Sequence, residues 1–333
     1  MSRFLTSGRR GASGKRRTVL AGGLGASVVG VLGVAGMYVS VHGHVTLALI
    51  LLAPILCLGL PVSAALFVAA RKPVAASVAL VLTLILLVAV VPLYRASDTS
   101  ALGSSVEVRF LSLNLRLGAA DAETLTAVAS ARADVVAVQE LTQEAVQRLS
   151  DAGMDDKFPH RVLVPHAGAG GAGLWSRFPL RDGARVPGFE MYFVRARVEI
   201  PSVVPDPVLA VVHLSAPWPQ PVKDWREDME VLPGAMADLA RADDGVVVIA
   251  GDFNSTYQMY DFRRLLGDGY QDAAAQAGAG LLRTYPANSI IPPLLGVDHV
   301  LVRNATATSA QTRLIPGSDH MALLTTVRMP TDR

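Results

Sequence analysis

The first 95 residues constrain this chain most, because they contain no aspartate or glutamate. The first acidic residue is Asp98, although the chain has 28 acidic residues over 333 positions. Three long apolar runs fill this stretch, at about 18–41, 45–70 and 74–94. A membrane-spanning helix needs about 20 mostly apolar residues, and a carboxylate inside lipid is costly. The pattern therefore predicts three transmembrane helices within residues 18–94.

The positions of lysine and arginine predict how these helices are oriented. Six basic residues lie in the segment 1–17, and Arg71 and Lys72 separate the second run from the third. The gap between the first two runs, at 42–44, has no lysine or arginine. Basic loops stay on the cytoplasmic side. We therefore expect a multi-pass protein of the cell membrane with a cytoplasmic N-terminus, the lipid bilayer as its partner, and everything after Tyr94 outside.

The first apolar run has an alternative interpretation as a cleaved export signal. The segment Arg16-Arg17-Thr18-Val19-Leu20 loosely resembles a twin-arginine signal. Cleavage after this run would leave the rest of the chain on the same side of the membrane. A second alternative, that one run is a buried helix of a globular domain, is disfavoured by the length of the runs.

A short polar linker, 95–105, leads to a region of different composition, 106–333. From Ala96 onward the chain carries 21 basic residues against all 28 acidic ones, a net charge of about −7. Short β-branched runs alternate here with helical stretches such as Ala122–Ala133 and Val222–Ala242, where Pro233 predicts a break or a kink. Strands are expected at 106–114, 134–139, 161–165, 172–175, 192–200, 208–213, 246–250, 297–302 and 322–327. This alternation predicts an α/β sandwich with helices covering the sheets.

Polar residues that can carry chemistry lie at the ends of these apolar strands, and Asp319 and His320 come just before the last strand. The full set is Asn114, Glu140, His213, Asp252, Asn254, Asp298 with His299, and Asp319 with His320. Each one alone has an ordinary explanation as a turn former, a helix cap or a packed histidine. Together they predict a cleft, because strand ends hold side chains in place. Carboxylates and carboxamides are the ligands that Mg²⁺ prefers, and histidine can transfer a proton near neutral pH.

Seven motifs in this region, taken in order, resemble the endonuclease/exonuclease/phosphatase superfamily, which includes pancreatic-type deoxyribonuclease, sphingomyelinases and inositol-phosphate phosphatases. The motifs are LSLN, VQE, LWSRFPL, VVHLS, GDFN, VDHVLV and SDH. The resemblance covers about residues 106–327. It implies a four-layer α/β/β/α sandwich with the site at the rim of two packed sheets. The implied activity is metal-dependent hydrolysis of a phosphoric ester or pyrophosphate.

The resemblance also implies a metal site and a water-activating group. Glu140 is expected to be the principal ligand of Mg²⁺, with Asn114 beside it, and Mn²⁺ would suit the same oxygen ligands. His320 is expected to activate or position the attacking water, oriented by Asp298 or Asp319.

The remaining residues are expected to handle the phosphoryl group and the water. By the same resemblance, His213 would contact the phosphoryl oxygens or assist the leaving group, and Asp252 would hold or deprotonate the water. Asn254 would hydrogen-bond the phosphate. Which histidine is the acid and which the base stays open. His299 is expected only to pack.

Three functions are compatible with the sequence. A nuclease would be expected to carry a basic domain, which the net charge of about −7 disfavours. A hydrolase of a lipid-linked phosphate suits the membrane helices and two apolar loops, at 216–219 and 290–295, although both loops could instead pack on the domain. A binding module without catalysis is the third possibility, and the complete set of expected catalytic residues disfavours it.

The combination of three N-terminal spans with such a domain resembles the VanJ type of actinobacterial membrane protein, which is associated with resistance to teicoplanin-like glycopeptide antibiotics. This resemblance implies a role at the cell envelope. The implied reaction is dephosphorylation of undecaprenyl pyrophosphate or a related lipid carrier of the cell wall.

Overall fold

The computed structural model describes residues 7–98, 103–241 and 244–331. The chain divides into two compact units: Met1–Val91 with Gln258–Tyr260, and Pro92–Tyr257 with Asp261–Arg333. The beginning of the basic segment 1–17 and residues 99–102 of the predicted linker lie outside the described residues.

The first unit consists of helices. They are α1 (Ser7–Gly36), α2 (His44–Leu56), α3 (Gly59–Ala69) and α4 (Pro73–Val90), and the 3-10 turn Val91–Tyr94 follows α4. Two helical segments, Gly14–Gly36 and Pro73–Tyr94, are long and apolar enough to cross a membrane. Helices α2 and α3 pass the same test only as a pair, which is bent by 48°.

The predicted second span is therefore not one straight helix, and the first helix ends at Gly36 rather than at Val41. Pro61 explains the break before α3. Proline has no N–H to donate to the carbonyl four residues earlier, and it is tolerated only in the first turn of a helix. Because α3 begins at Gly59, Pro61 lies in that first turn. Pro54 removes a further hydrogen-bond donor inside α2.

The bent pair runs antiparallel to α1 along most of its length. The contacts progress in order: Gly36 lies against Leu49, Gly33 against Leu56 and Cys57, Gly30 against Leu60, and Gly23 against Phe67. At the far end, Arg16 Nε donates a hydrogen bond to Ala70 O (2.8 Å). Glycine allows helix backbones to approach closely. The pair α2–α3 therefore extends between the same two ends as the apolar part of α1.

The second unit contains two six-stranded sheets within the residues that the structure describes. Its strands are β1 (Ser105–Asn114), β2 (Val135–Gln139), β3 (His160–Val164), β4 (Ala172–Ser176), β5 (Leu180–Val186), β6 (Phe193–Val198), β7 (Val208–His213), β8 (Val247–Asp252), β9 (Tyr270–Asp272), β10 (Asp298–Arg303), β11 (Thr306–Leu314) and β12 (Met321–Pro330). One sheet has the order β11-β12-β1-β2-β4-β3 and the other β5-β6-β7-β8-β10-β9. The pairs β1–β2 and β7–β8 are parallel, and each lies at the centre of its sheet.

Helices connect these strands. They are α5 (Ala122–Arg132), α6 (Gln143–Asp151), α7 (Met154–Lys157), α8 (Val222–Arg241), α9 (Tyr260–Arg263) and α10 (Ala273–Gln276). Helices α5, α6 and α7 bury apolar residues against one face of the first sheet, in a cluster that includes Leu111, Leu125 and Trp175. Helix α8 is hydrogen-bonded to the second sheet, since Tyr270 Oη of β9 donates to Met236 O of α8 (2.8 Å).

A second apolar cluster lies between the two sheets. Alternate residues point into it, such as Val108 and Phe110 of β1 opposite Val211 of β7 and Val248 of β8. This alternation follows from the two-residue period of a strand. The predicted α/β sandwich of two packed sheets is confirmed.

Some elements differ from the sequence-based expectations. Strands β5, β9 and β11 were not predicted, and in β11 the reason is that most of its residues are polar and only partly buried at the edge of a sheet. Helix α8 continues through Pro233, where a break or a kink was predicted. Pro233 is exposed, so water can satisfy the carbonyl that loses its partner.

Gly251 provides a test of the central packing of the second sheet. A Cβ atom at this position would lie 1.9 Å from Val212 O on the neighbouring strand. We therefore expect Gly251→Ala to lower the free energy of unfolding by roughly 1–3 kcal/mol or more, as overpacking does. Thermal unfolding of the full chain in detergent measures this.

The matched control is Gly234→Ala in α8, where a Cβ would meet nothing within 4 Å. Alanine is favoured over glycine inside a helix, so this variant should unfold at the same or a higher temperature. An unchanged unfolding temperature for Gly251→Ala would contradict the close approach of β7 and β8.

Candidate active site

Strand register places three of the predicted residues side by side. In the second sheet His213 at the end of β7 pairs with Asp252 at the end of β8, and Asp252 pairs with Asp298 at the start of β10. In the first sheet Asn114 at the end of β1 pairs with Gln139, so that Glu140 follows directly. The carboxyl ends of the two central parallel pairs therefore carry the polar residues.

Hydrogen bonds join the polar residues of the two sheets. Asn114 Nδ2 donates to Glu140 Oε1 and to Asp252 Oδ2, both at 3.1 Å. His320, which precedes β12 of the first sheet, donates through Nδ1 to Asp298 Oδ2 of the second sheet (2.8 Å). These residues are far apart in sequence, and the structure brings them into one cluster.

The carboxylate of Asp252 lies at the centre of this cluster and is 1 % exposed. Its Oδ2 atom lies 3.8 Å from His213 Nε2 and 3.7 Å from His320 Nε2, distances too long for direct hydrogen bonds. Its Oδ1 atom accepts the backbone N–H of Asn254 (2.8 Å). Burial raises the pKa of Asp252 above that of an ordinary aspartate, although the charge of His320 opposes this change.

His320 is held in its charged form. Burial alone would lower its pKa, but the neighbouring carboxylates of Asp298 and Asp252 outweigh burial and raise the pKa of His320 to about 10. The imidazole is therefore protonated at neutral pH, and its Nε2–H faces the cluster. The ring of Tyr285 lies beside it, with 5.0 Å between the ring centroids.

His213 is held in one tautomer by a backbone carbonyl. Its Nδ1 atom lies 3.1 Å from Ala169 O. A carbonyl oxygen can only accept, so Nδ1 carries the hydrogen. The Nε2 atom of His213 then faces Glu140 Oε1 at 3.9 Å as well as Asp252. The cluster thus presents two imidazole Nε2 atoms and two carboxylates to one another.

Glu140 is placed by an unusual backbone conformation. Its φ angle is 55°, in the left-handed region that non-glycine residues seldom adopt, and Leu117 has a φ angle of 52°. The Leu117 N–H donates to Glu140 Oε2 (2.6 Å). Conformations of this kind occur preferentially at functional sites. The Glu140 side chain remains 16 % exposed, more than its buried neighbours.

Asp319 and Asn254 lie beside this centre rather than in it. The Asp319 carboxylate is 3.9 Å from Arg116 Nε, so of the two candidates for orienting His320 the structure pairs Asp298 with it. Asn254, also left-handed with φ 46°, donates its amide to Leu214 O (2.8 Å). A contact from this amide to phosphate stays a prediction.

His299 is a buried structural residue, as expected. Its Nδ1 atom lies 2.7 Å from Asp272 Oδ2, and its Nε2 atom lies 2.9 Å from Ser255 O. Burial would lower the pKa of His299, but the hydrogen bond to Asp272 outweighs burial and raises it. Both partners accept, so both ring nitrogens carry hydrogen. The resulting ion pair supports the turn that follows Asp252.

The cluster fits a divalent cation. Asp252, Asp298 and His320 offer ligand atoms within 4.8 Å of one another, and the buried Asp298 Oδ1 has no hydrogen-bond partner among the described residues. A protonated His320 cannot serve as a ligand, however. Glu140 and Asp252, which share the amide of Asn114, offer the carboxylate oxygens that Mg²⁺ or Mn²⁺ prefers.

In this structure the side chain of Asn114 is not oriented to bind a metal ion. Its Oδ1 atom accepts the N–H of Arg116 (2.9 Å), and its Nδ2 atom points at the two carboxylates. Asn114 here positions Glu140 and Asp252 against each other. Coordination through Oδ1 stays a prediction that requires this amide to turn.

Several contributors to the site were not predicted. The carbonyl of Ala169 and the N–H of Leu117 are backbone groups, which leave no signal in a sequence. Ser318, which precedes the SDH histidine by two residues, donates through Oγ to Asn114 O (2.7 Å) and accepts from His320 N (2.9 Å). The aromatic residue Tyr285 precedes a proline in an irregular loop, and nothing in its sequence context distinguishes it.

Comparisons with known proteins match the part of the chain that carries this cluster. Residues 111–320, a range that includes every predicted site residue, match the model of the Endonuclease/Exonuclease/phosphatase family. No significant match is found among curated protein sequences.

Solved structures share the fold at low sequence identity. TDP2 of D. rerio, complexed with single strand DNA product, is 19 % identical, with a TM-score of 0.55 over 66 % of this chain and 98 % of that one. An endonuclease/exonuclease/phosphatase of Beutenbergia cavernae is 21 % identical, with a TM-score of 0.52 over 67 % and 72 %. The mannosyl-6-phosphatase Bt3783 of Bacteroides thetaiotaomicron is 12 % identical, with a TM-score of 0.51 over 66 % and 99 %.

The pairing of His320 with Asp298 can be tested by titration. Asp298→Asn removes a negative charge and a charged acceptor, while burial continues to disfavour the imidazolium. We therefore expect the pKa of His320 to fall from about 10 towards or below the ordinary histidine value of about 6.5. Nitrogen-15 NMR of histidine-labelled full chain in nanodiscs, with chelator present, measures this.

Asp319→Asn is the matched control, since its carboxylate pairs loosely with Arg116 rather than with His320. It should lower the pKa of His320 less than Asp298→Asn does. Equal shifts in the two variants would show that Asp298 has no special role in holding the charge of His320.

Proposed function

The chain belongs to the Endonuclease/Exonuclease/phosphatase family, and on that premise we propose that it is a membrane-anchored, metal-dependent phosphohydrolase. The observation that carries the proposal is the meeting of Glu140, His213, Asp252 and His320 at the adjoining ends of both sheets. Two carboxylates and two histidines at this spacing suit hydrolysis of a phosphoric ester or pyrophosphate.

The charge of each residue determines its proposed role in the reaction. The imidazolium of His320, oriented by Asp298, donates Nε2–H to a phosphoryl oxygen or to the leaving oxygen. Asp252, whose pKa is raised by burial, accepts a proton from the attacking water. His213 accepts a hydrogen bond at Nε2 and so helps to orient the water or the phosphoryl group. Held by Glu140 and Asp252, Mg²⁺ or Mn²⁺ would supply positive charge opposite the phosphoryl oxygens.

The net reaction consumes one water. The water oxygen forms a bond to phosphorus while the bond between phosphorus and the leaving oxygen breaks. The water proton passes to Asp252, and the leaving oxygen takes a proton from His320. Proton exchange with solvent restores both side chains.

We propose a lipid-linked phosphate as the substrate, with undecaprenyl pyrophosphate as the specific candidate and glycopeptide resistance as the cellular role. Apolar helices in the same chain support an amphiphilic substrate, because they keep the catalytic unit on a membrane. Exposed apolar residues in the two loops near the site, Trp218, Ile290, Ile291 and Leu294, support it further.

A nuclease is the second candidate. The observation that favours it is the similarity in fold to TDP2 of D. rerio, which has been crystallised with single strand DNA product. The net charge of about −7 after residue 95 counts against it, because nucleic-acid binding draws much of its affinity from lysine and arginine.

Three crossings, with the catalytic unit outside the cell, form the proposed topology. If α2 and α3 turned back within the bilayer, the chain would cross only twice and both termini would share one side. The antiparallel contacts of this pair along α1, from Gly36 to Arg16, support a full crossing. The position of Arg71 and Lys72 supports it as well, since basic loops stay in the cytoplasm.

The activity is tested by phosphate release from undecaprenyl pyrophosphate by the detergent-solubilised full chain. Release should require Mg²⁺ or Mn²⁺ and should stop with chelator. We expect Glu140→Ala to lower the rate at least about 100-fold, because even outer-shell partners of a catalytic metal are worth 10–100-fold.

The matched control is Glu227→Ala on the exposed side of α8, which should leave the rate unchanged. If the lipid substrate is not hydrolysed, plasmid DNA and soluble phosphodiesters are tested with the same preparation. Hydrolysis of DNA alone would favour the nuclease candidate. No hydrolysis of any of these would favour a binding module.

The topology is tested by labelling with a membrane-impermeant maleimide in intact cells. Cys57 is the only cysteine, so Cys57→Ala provides a background free of thiols. In that background Glu230→Cys should be labelled and Gly14→Cys should be labelled only after the cells are lysed. Labelling of both positions only after lysis would instead favour two crossings and a cytoplasmic catalytic unit.

A further inference from the structure

We propose that the segment Thr284–Val297, here called the apolar hairpin, inserts its tip into the lipid bilayer and places the active site at the membrane surface. This inference deepens the proposed function and rests on it for the substrate. The occupant it assigns to the hairpin is the bilayer that holds the chain's own apolar helices.

The hairpin is apolar where it is most exposed. Tyr285 and Leu295 form a bridge at its base. Beyond the bridge, Ile290 is fully exposed, and Ile291 and Leu294 are 56 % and 53 % exposed. No charged residue occurs between Thr284 and Val297. Single exposed apolar side chains are common on soluble proteins, but a cluster of them in one turn marks an interaction site.

The base of the hairpin is attached to the catalytic residues. Thr284 Oγ1 accepts the N–H of Asp298 (3.3 Å), and Thr284 O accepts the N–H of Met321 (2.8 Å), which follows His320. The N–H of Ala287 donates to Asp319 O (2.7 Å). A surface that holds the tip of the hairpin is therefore close to the cluster around Asp252.

Two hydrogen bonds join the segment before the hairpin to residues that follow the last apolar helix in the sequence. Gly280 N donates to Leu93 O (2.8 Å), and Ser97 N donates to Gln276 O (2.7 Å). These residues all belong to the second unit. The segment 276–280 leads within four residues to Thr284. Residues 93 and 97, just beyond α4 in the sequence, are thus hydrogen-bonded to the segment that precedes the hairpin.

The chemistry of the tip favours lipid over a second copy of the chain. A stable protein interface buries about 800 Å² on each partner, which three side chains in a narrow turn do not provide. Apolar side chains that lie at the boundary of headgroups and acyl chains need enter only about 5–10 Å. The two prolines, Pro292 and Pro293, stiffen the tip and remove two N–H groups that lipid could not satisfy.

A hairpin docked in this way explains how an amphiphilic substrate reaches the site. The apolar chain of a lipid-linked phosphate can stay in the bilayer while its phosphate enters the cluster. The cost of transferring that apolar chain from the bilayer to water is then avoided.

The kinetic test compares a membrane substrate with a soluble one that has the same kind of bond. The triple variant Ile290→Ser, Ile291→Ser, Leu294→Ser of the full chain is assayed on undecaprenyl pyrophosphate in phosphatidylcholine vesicles and on isopentenyl pyrophosphate in solution. We expect kcat/KM for the vesicle substrate to fall at least about tenfold, as expected when several apolar contacts are lost. The value for the soluble substrate should be unchanged.

The matched control is Val204→Ser, Val231→Ser, which removes two exposed apolar side chains outside the hairpin and should change neither value. Equal losses on both substrates would overturn the inference, since they would indicate damage to the site. Unchanged kinetics on both substrates would overturn it as well.

A fluorescence test does not depend on hydrolysis. The full chain with Ile290→Trp is reconstituted in phosphatidylcholine vesicles with and without brominated acyl chains. Its added emission should be blue-shifted and quenched by the bromine, whereas that of Val204→Trp should not. A different outcome would be a blue shift that grows with the ratio of protein to lipid while the bromine causes no quenching. The tip would then pack against a second copy of the chain, and the inference would be overturned.

The two readouts separate the two proposals. Quenching without hydrolysis of either pyrophosphate would leave the hairpin in the membrane and remove the proposed activity. Hydrolysis without quenching would keep the activity and remove the membrane role of the hairpin.

Discussion

The buried carboxylate of Asp252 is the constraint around which the catalytic unit is organised. A carboxylate that is almost fully removed from water is costly unless charged or hydrogen-bonding partners surround it. Its partners come from both sheets: Asn114 from the first, and the N–H of Asn254 from the turn after its own strand. The two sheets must therefore close over this position with the correct register, and the same closure assembles the site.

The charge balance of the cluster follows from that packing. Asp298 accepts the hydrogen bond of His320 Nδ1 and favours the charged imidazolium, while the carbonyl of Ala169 accepts from His213 Nδ1. The Nδ1 atoms of the two histidines thus have different partners, a carboxylate for His320 and a backbone carbonyl for His213.

The helical unit and the two-sheet unit are packed in different ways. In the helices, glycines such as Gly30 and Gly33 permit close backbone contact. In the catalytic unit, alternating apolar residues such as Val108 and Phe110 fill the space between sheets. The apolar hairpin belongs to the second unit but has the surface chemistry of the first, which is why a membrane role is the natural interpretation of its exposed isoleucines.

Much of this protein could be predicted from the sequence alone. Periodicity and strand-end chemistry located the apolar runs, the α/β sandwich and the residues of the cluster, because burial of apolar surface is a local property of short segments. The sequence could not decide whether Asp298 or Asp319 holds His320, or that Asn114 turns its amide towards Asp252, 138 residues away. It also did not predict the bend at Pro61 or the polar edge strand β11. Those outcomes depend on which atoms meet when two sheets or two helices pack, and only the tertiary structure determines such long-range contacts.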